Sequence, residues 1–201
     1  RLEAKLGANP FKYGMIGSTD NHVSMTTTRE ENYFGKLPSE EPSPDRYKGV
    51  FLKDSKTGKV IVSNWQLVAS GLVAVWAREN TREEIFDAMA RKEVYASTGT
   101  RLTVRIFGGW DFQPDEVQRP DFAAQGYARG VPMGGDLSSA PDGKAPTLMI
   151  RALRDPDGAN LDRIQIIKGW LNADGSTEER IYDVACSDNR SIENRRCNRA
   201  V

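Results

Sequence analysis

His22 is the only histidine in the 201 residues, and Asp20 stands two positions before it. In an extended chain, residues i and i+2 point to the same side, so both side chains could reach one metal ion. The pair follows a short apolar segment, Tyr13–Ser18, which we interpret as a strand. Barrel enzymes assemble active sites in loops beyond such strand ends. This spacing permits a metal site, and it equally permits a loop histidine bonded to its neighbours.

Two cysteines, Cys186 and Cys197, stand in a polar segment rich in Asn and Arg. No further Cys or His lies close enough in sequence to complete a zinc site with them. A disulfide is one interpretation and two separate reduced thiols are the other, because spacing alone does not show pairing. If the cysteines are bridged, the protein belongs in an oxidising compartment.

Arg78 and Glu79 form a third candidate pair, just after the apolar run Leu67–Trp76 that we interpret as a strand. At the mouth of a barrel such a pair could orient a substrate. It could equally be a surface pair beside the N-terminus of the next helix. That helix is predicted from a capping box at Thr81 to about Lys92.

The predicted secondary structure that would position these residues changes near residue 100. Before it, short apolar runs and one helix favour an α/β region over residues 1–100. After it, apolar and polar residues alternate in several segments separated by turn residues, which predicts antiparallel strands over residues 101–201. The alternating segments are Leu102–Ile106, Leu148–Leu153, Ile164–Ile167 and Ile181–Ala185. We predict a sandwich-like β-rich region there, incomplete at its end.

Composition excludes two classes of partner. The chain has 28 Lys and Arg against 28 Asp and Glu, so no general positive field attracts nucleic acid or anionic lipid. Its longest apolar run, Leu67–Trp76, is much shorter than the roughly 20 residues of a membrane helix. We therefore expect neither nucleic acid nor a membrane as a partner.

Longer runs of the sequence resemble one family in order and spacing. They are GMIGSTDNH at Gly14–His22, the run Gly71–Arg101, VRIFGGWDF at Val104–Phe112, YARGVPMGGDL at Tyr127–Leu137 and DVACSDNR at Asp183–Arg190. Together they are similar to the C-terminal portion of the PHP-like proteins grouped as domain-of-unknown-function family 3604. PHP denotes polymerase and histidinol phosphatase. The resemblance extends over almost the whole chain.

The resemblance implies that residues 1–100 are the C-terminal part of a distorted PHP β/α barrel whose rim holds zinc, manganese or iron ions. The last barrel motif is Asp-x-His, which falls on Asp20 and His22 and makes them metal ligands. The other ligands belong to an earlier His-x-His motif and to further His, Asp or Glu residues. Because this chain has a single histidine, we expect those ligands on the remainder of a longer parent chain. We also expect these 201 residues to be inactive alone.

For the intact parent, the resemblance implies a metal-dependent hydrolase. Metal-bound hydroxide would attack a small-molecule phosphoester, or a carboxyl or carbamate ester. Family members that are exported imply a periplasmic or secreted location, and they favour the disulfide between Cys186 and Cys197. The alternative is a non-catalytic β-rich module that binds a glycan or a partner protein.

Overall fold

The computed structural model describes residues 2–25, 27, 29–38, 43–138 and 140–199. The α-helices in these residues are α1 (Leu2–Leu6), α2 (Arg82–Ala90) and α3 (Phe122–Arg129). The strands are β1 (Val50–Lys53), β2 (Val60–Ser63), β3 (Leu72–Val75), β4 (Val94–Ser97), β5 (Thr103–Gly109), β6 (Gly130–Pro132), β7 (Thr147–Leu153), β8 (Arg163–Leu171), β9 (Thr177–Cys186), β10 (Ile192–Glu193) and β11 (Arg196–Cys197). Within the described ranges, no helix is long and apolar enough to cross a membrane.

The chain divides into two compact units. The first, which we call the site unit, comprises Gly14–Arg101 and Met133–Gly135. The second, the β-rich unit, comprises Arg1–Tyr13, Leu102–Pro132 and Asp136–Val201.

The site unit contains two antiparallel pairs of strands, β1 with β2 and β3 with β4. Helix α2 connects β3 to β4, and the side chain of Thr81 accepts a hydrogen bond from the backbone N–H of Glu84 at its start. The helix predicted from Thr81 is therefore confirmed, although it ends at Ala90. No closed barrel is formed by the residues that the structure describes. The barrel assignment stays a prediction.

Two strands predicted in the site unit differ from the observed ones. Tyr13–Ser18 forms no regular strand, and the run Leu67–Trp76 contains only the four residues of β3. Outside β3, the run Leu67–Trp76 makes isolated backbone hydrogen bonds and no strand ladder. The backbone N–H of Ser70, for example, donates to the carbonyl of Thr19 over 3.0 Å.

The β-rich unit is built from antiparallel sheets. Strand β5 lies between β6 and β7, with Thr103 opposite Leu153 at one end and Gly109 opposite Thr147 at the other. Strands β8 and β9 form a long hairpin, and β10 pairs with β11. All four segments of alternating residues are strands, so the antiparallel, β-rich character predicted from the sequence is confirmed.

Helix α3 covers the core of the β-rich unit. Phe107 of β5 is fully buried, and its ring makes edge contacts with the rings of Phe122 and Tyr127 at centroid distances of 5.5 and 5.0 Å. Phe112 and Met149 complete the buried cluster. Helix α3 therefore supplies Phe122 to this core, and the following strand β6 adds to the sheet beside β5.

A disulfide between Cys186 and Cys197 joins the end of β9 to β11, with the two Cα atoms 6.0 Å apart. This confirms the predicted pairing. Between the cysteines, the side chain of Arg190 is 1% exposed, and it donates to the carbonyls of Ser187 and Arg199. It also pairs with the carboxylate of Asp162 over 2.6 Å. The loop therefore folds around a buried guanidinium group.

Asp183 of β9 bonds to the backbone of the same loop at Cys197. Its side chain is fully buried and accepts hydrogen bonds from Gln165 Nε2 over 2.6 Å and from the backbone N–H of Cys197 over 2.7 Å. The Gln165 bond, followed by the Cys197 bond, lowers the pKa of the Asp183 carboxyl. The carboxylate thus remains charged and ties β8, β9 and β11 together.

Candidate functional site

Asp20 and His22 lie side by side in the site unit. The distance between Asp20 Oδ1 and His22 Nε2 is 3.3 Å, and both side chains are more than half exposed. Two ligands of a tetrahedral zinc ion with bonds of roughly 2.0–2.1 Å lie about 3.3 Å apart, from the geometry of the tetrahedron. The observed separation is therefore compatible with two ligands of a single ion.

The backbone brings the two side chains together differently from the expected extended chain. Asp20 has φ 55°, in the left-handed region. Such a conformation is uncommon outside glycine, although Asp adopts it more readily than most residues, and strained backbone of this kind concentrates at functional sites. The extended-chain premise is wrong at Asp20, and a tight local bend makes the contact instead.

Lys36, which follows Asp20 by 16 positions, contacts this bend through both its side chain and its backbone. Its Nζ lies 3.3 Å from Asp20 Oδ2, while its own carbonyl accepts a 2.8 Å hydrogen bond from the backbone N–H of His22. The Lys36 side chain is only 10% exposed. One buried residue thus contacts both members of the pair.

The hydrogen bond from Lys36, and then its charge, lower the pKa of Asp20 below the ordinary 3.8, with a smaller contribution from His22. Metal ligation by a carboxyl group requires the deprotonated form. At neutral pH, Asp20 is therefore in the state that binds a cation.

Asn21, between the two residues, has an unusual environment. Both polar atoms of its side-chain amide are buried, and neither has a hydrogen-bond partner in the described structure. Such groups are rare in folded proteins because each costs about 1–3 kcal/mol, and a catalytic role is one reason for their retention. The segment therefore combines a strained residue with an unpaired buried amide.

Gly17 fixes the approach of this segment to β3. A Cβ at position 17 would stand 2.5 Å from the carbonyl oxygen of Leu72, so only glycine allows the two backbones to come this close. Three residues later the chain reaches Asp20. The close approach therefore sets where the candidate site lies relative to β3.

Arg78 and Glu79 lie in the exposed bend between β3 and α2. No hydrogen bond or ion pair joins either of them to Asp20 or His22 within the described part of the chain. Their predicted role in orienting a substrate stays a prediction.

Metal-ligating side chains do not form a larger cluster in the ranges that the structure describes. No group of three or more His, Cys, Asp or Glu residues there could hold a metal ion. Asp20 and His22 are therefore a pair of potential ligands, fewer than the three protein ligands of a typical catalytic zinc site.

A cavity of about 580 Å³ lies in the β-rich unit. Its lining residues are mostly apolar; they come from β7, β8 and β9 and also include Phe112, Pro114 and Val117. None of the predicted site residues lines it. The cavity is thus a separate feature from the candidate metal-binding pair.

A comparison with known protein families identifies the family of this chain. The family model described as Protein of unknown function (DUF3604) matches residues 1–200. The chain belongs to this family. No curated protein and no solved structure matches it.

The match places both parts of the candidate site of this DUF3604 chain, the Asp20–His22 pair and Lys36, inside the family region. Sequence patterns identified the pair but not Lys36. A single lysine between Gly35 and Leu37 carries no periodic or motif signal, and only its contacts in the folded chain reveal its position.

Proposed function

We propose that this chain contributes Asp20 and His22 to the divalent-metal centre of a PHP-type hydrolase. The observation that carries the proposal is the 3.3 Å approach of Asp20 Oδ1 to His22 Nε2, within a segment that matches the Asp-x-His motif. In this proposal, residues 1–100 are the last part of the PHP barrel, and the remaining ligands come from outside these 201 residues.

The chemistry of the two donors supports zinc, manganese or iron. An imidazole nitrogen suits zinc and iron, and a carboxylate oxygen suits manganese and other hard ions. Bound ions of this kind activate water and stabilise developing negative charge, which serves hydrolysis of phosphoesters or of carboxyl and carbamate esters. Asp20 and His22 hold the ion, and Arg78 and Glu79 orient a small-molecule ester.

We further propose a periplasmic or secreted location. The disulfide between Cys186 and Cys197 supports it, because disulfides persist in oxidising compartments and are rare in the cytosol.

The test compares the isolated chain with the intact protein that contains it. Calorimetry should show weak zinc and manganese binding by the 201 residues, because two protein ligands are fewer than the set that holds a catalytic zinc ion. In the intact protein, Asp20→Ala and His22→Ala should each remove metal and most of the hydrolysis found in a screen of phosphoesters and carboxyl esters.

Arg78→Ala in the intact protein separates binding from metal ligation. It should raise KM while the metal content stays constant, because Arg78 is proposed to contact the substrate alone. An intact protein that keeps its metal content and its activity after Asp20→Ala and His22→Ala would overturn the proposal and favour the non-catalytic binding module.

A further inference from the structure

The ammonium group of Lys36 sits in a nearly closed shell of oxygen atoms. Nζ lies 3.1 Å from the carbonyl of Thr19, 3.3 Å from that of Val68 and 2.5 Å from the hydroxyl of Ser70. Asp20 Oδ2, at 3.3 Å, is the charged member of the shell. A buried ammonium group loses much of its hydration, so these contacts hold it in one place.

This arrangement makes the two oxygens of Asp20 unequal. Oδ2 faces the Lys36 ammonium, and Oδ1 faces His22 Nε2. The backbone bond from His22 N–H to the Lys36 carbonyl fixes the imidazole side of the pair at the same time. Oδ1 is therefore the oxygen of Asp20 that lies beside the imidazole of His22.

We propose that Lys36 is a positioning residue that restricts Asp20 to binding a cation through Oδ1 alone. The proposal rests on the proposed function, which makes Asp20 and His22 ligands. Zinc is commonly held by few donors in tetrahedral sites. Calcium takes more oxygen ligands and often both oxygens of a carboxylate. Lys36 therefore makes this pair select zinc over calcium.

The repulsion of cations by the charge of Lys36 can be separated from its effect on the choice between zinc and calcium. The ammonium of Lys36 repels any divalent cation, and it repels zinc and calcium similarly because both carry the same charge. The ratio of the two affinities removes this shared repulsion. A change in that ratio therefore reports how many oxygens Asp20 offers.

The experiment uses Lys36→Met in the 201-residue chain, with zinc chloride and calcium chloride as probes. His22 is the only histidine, so its ring signals in NMR titrations report on this site alone. In Lys36→Met, the preference for zinc over calcium should fall by about threefold or more, since Asp20 can then offer both oxygens. Lys12→Met is the matched control, because it removes a lysine–aspartate pair, Lys12 with Asp136, elsewhere in the chain. The control should keep the wild-type ratio.

A second measurement needs no change at Lys36. The zinc-minus-apo infrared difference spectrum of the wild type, compared with that of Asp20→Asn, isolates the Asp20 carboxylate. Its stretching frequencies should show binding through one oxygen. This measurement decides the question if circular dichroism shows that Lys36→Met is unfolded.

Asp20→Ala distinguishes a wrong ligand assignment from a wrong role of Lys36. If Asp20→Ala leaves the zinc-induced shift of His22 unchanged, the ligand assignment itself is wrong. If Asp20→Ala abolishes the shift but folded Lys36→Met keeps the wild-type ratio, or the infrared spectrum shows two-oxygen binding, Lys36 does not position Asp20.

Discussion

Gly126→Ala should destabilise the β-rich unit although it removes a glycine from a helix. Alanine in the interior of α3 would by itself stabilise the fold by about 1 kcal/mol. A Cβ at position 126, however, would stand 2.6 Å from Cδ1 of Phe107 and closer still to Cγ. These atoms lie near the pivot of the ring, so a rotation of the side chain does not remove the clash.

The size of the effect follows from the surroundings of Phe107. The residue is 0% exposed, and its ring is bounded by Phe122 and Tyr127. Overpacking of this kind costs about 1–3 kcal/mol, and we expect a value near the upper end because the ring has no free side to move to. After subtraction of the helix term, Gly126→Ala should lower the free energy of unfolding by about 2 kcal/mol.

Gly169→Ala provides a matched control in the same unit. The nearest atom to a Cβ there is the carbonyl oxygen of Glu178 at 3.9 Å, an ordinary contact. This variant should be neutral or more stable by about 0.4–1 kcal/mol, because alanine restricts the unfolded chain.

Urea unfolding followed by circular dichroism measures both variants. The double variant Phe107→Leu with Gly126→Ala should be less destabilised than the sum of the single changes, because a smaller side chain makes room for the methyl group. A Gly126→Ala protein as stable as the wild type, with Gly169→Ala behaving as expected, would refute the packing of Phe107 against α3.

Three further predictions concern the loop between Cys186 and Cys197 and its anchor, Asp183 of β9. Replacing Cys186 and Cys197 by Ser should lower the free energy of unfolding by about 3 kcal/mol, from the entropy of a loop with a sequence separation of 11, as measured by urea titration against the oxidised wild type. Non-reducing mass spectrometry of the wild type should find it two hydrogens lighter than the reduced chain, and free thiols on both cysteines would contradict the bridge. Because the fold lowers the pKa of Asp183 below 3.8, its stabilising charge is complete above that pH and is lost as the pH falls through the lower folded value. Asp183→Asn should therefore be less stable than the wild type at neutral pH and approach its stability in strong acid, as followed by thermal unfolding. A constant difference in stability at all pH values would show that the charge of Asp183 does not stabilise the fold.

The strands of the β-rich unit were predictable because two local signals agreed. The alternation at Leu148–Leu153 and Ile164–Ile167 marks one buried face, and the turn residues at Asp155–Gly158 separate the two strands. Helix α3 was missed because Gly126 interrupts its pattern and lowers its helix propensity. The need for glycine at this position comes from the ring of Phe107, which leaves no room for a Cβ and belongs to a different element, β5.

Only the part of the candidate site that depends on residues close in sequence was predictable. Asp20 and His22 are close in sequence, so their proximity was foreseen even though the assumed extended backbone was not correct. Lys36 was not foreseen, since its contacts with Asp20, Val68 and Ser70 depend on long-range packing. Local patterns locate candidate ligands, and only the fold shows what holds them.

The buried guanidinium group of Arg190 has a consequence for oxidative maturation. It binds the carbonyl of Ser187, which follows Cys186, and that of Arg199, two residues after Cys197, and so closes the loop through hydrogen bonds that need no oxidant. If they form before oxidation, these bonds would keep both thiols near each other and raise their effective concentration. Once a disulfide oxidant has formed a mixed disulfide with one cysteine, the thiolate of the other attacks it within the molecule, forms the bridge and releases the reduced oxidant as a thiol. The contacts of Arg190 would thereby favour the pairing of Cys186 with Cys197 over mispairing with other chains.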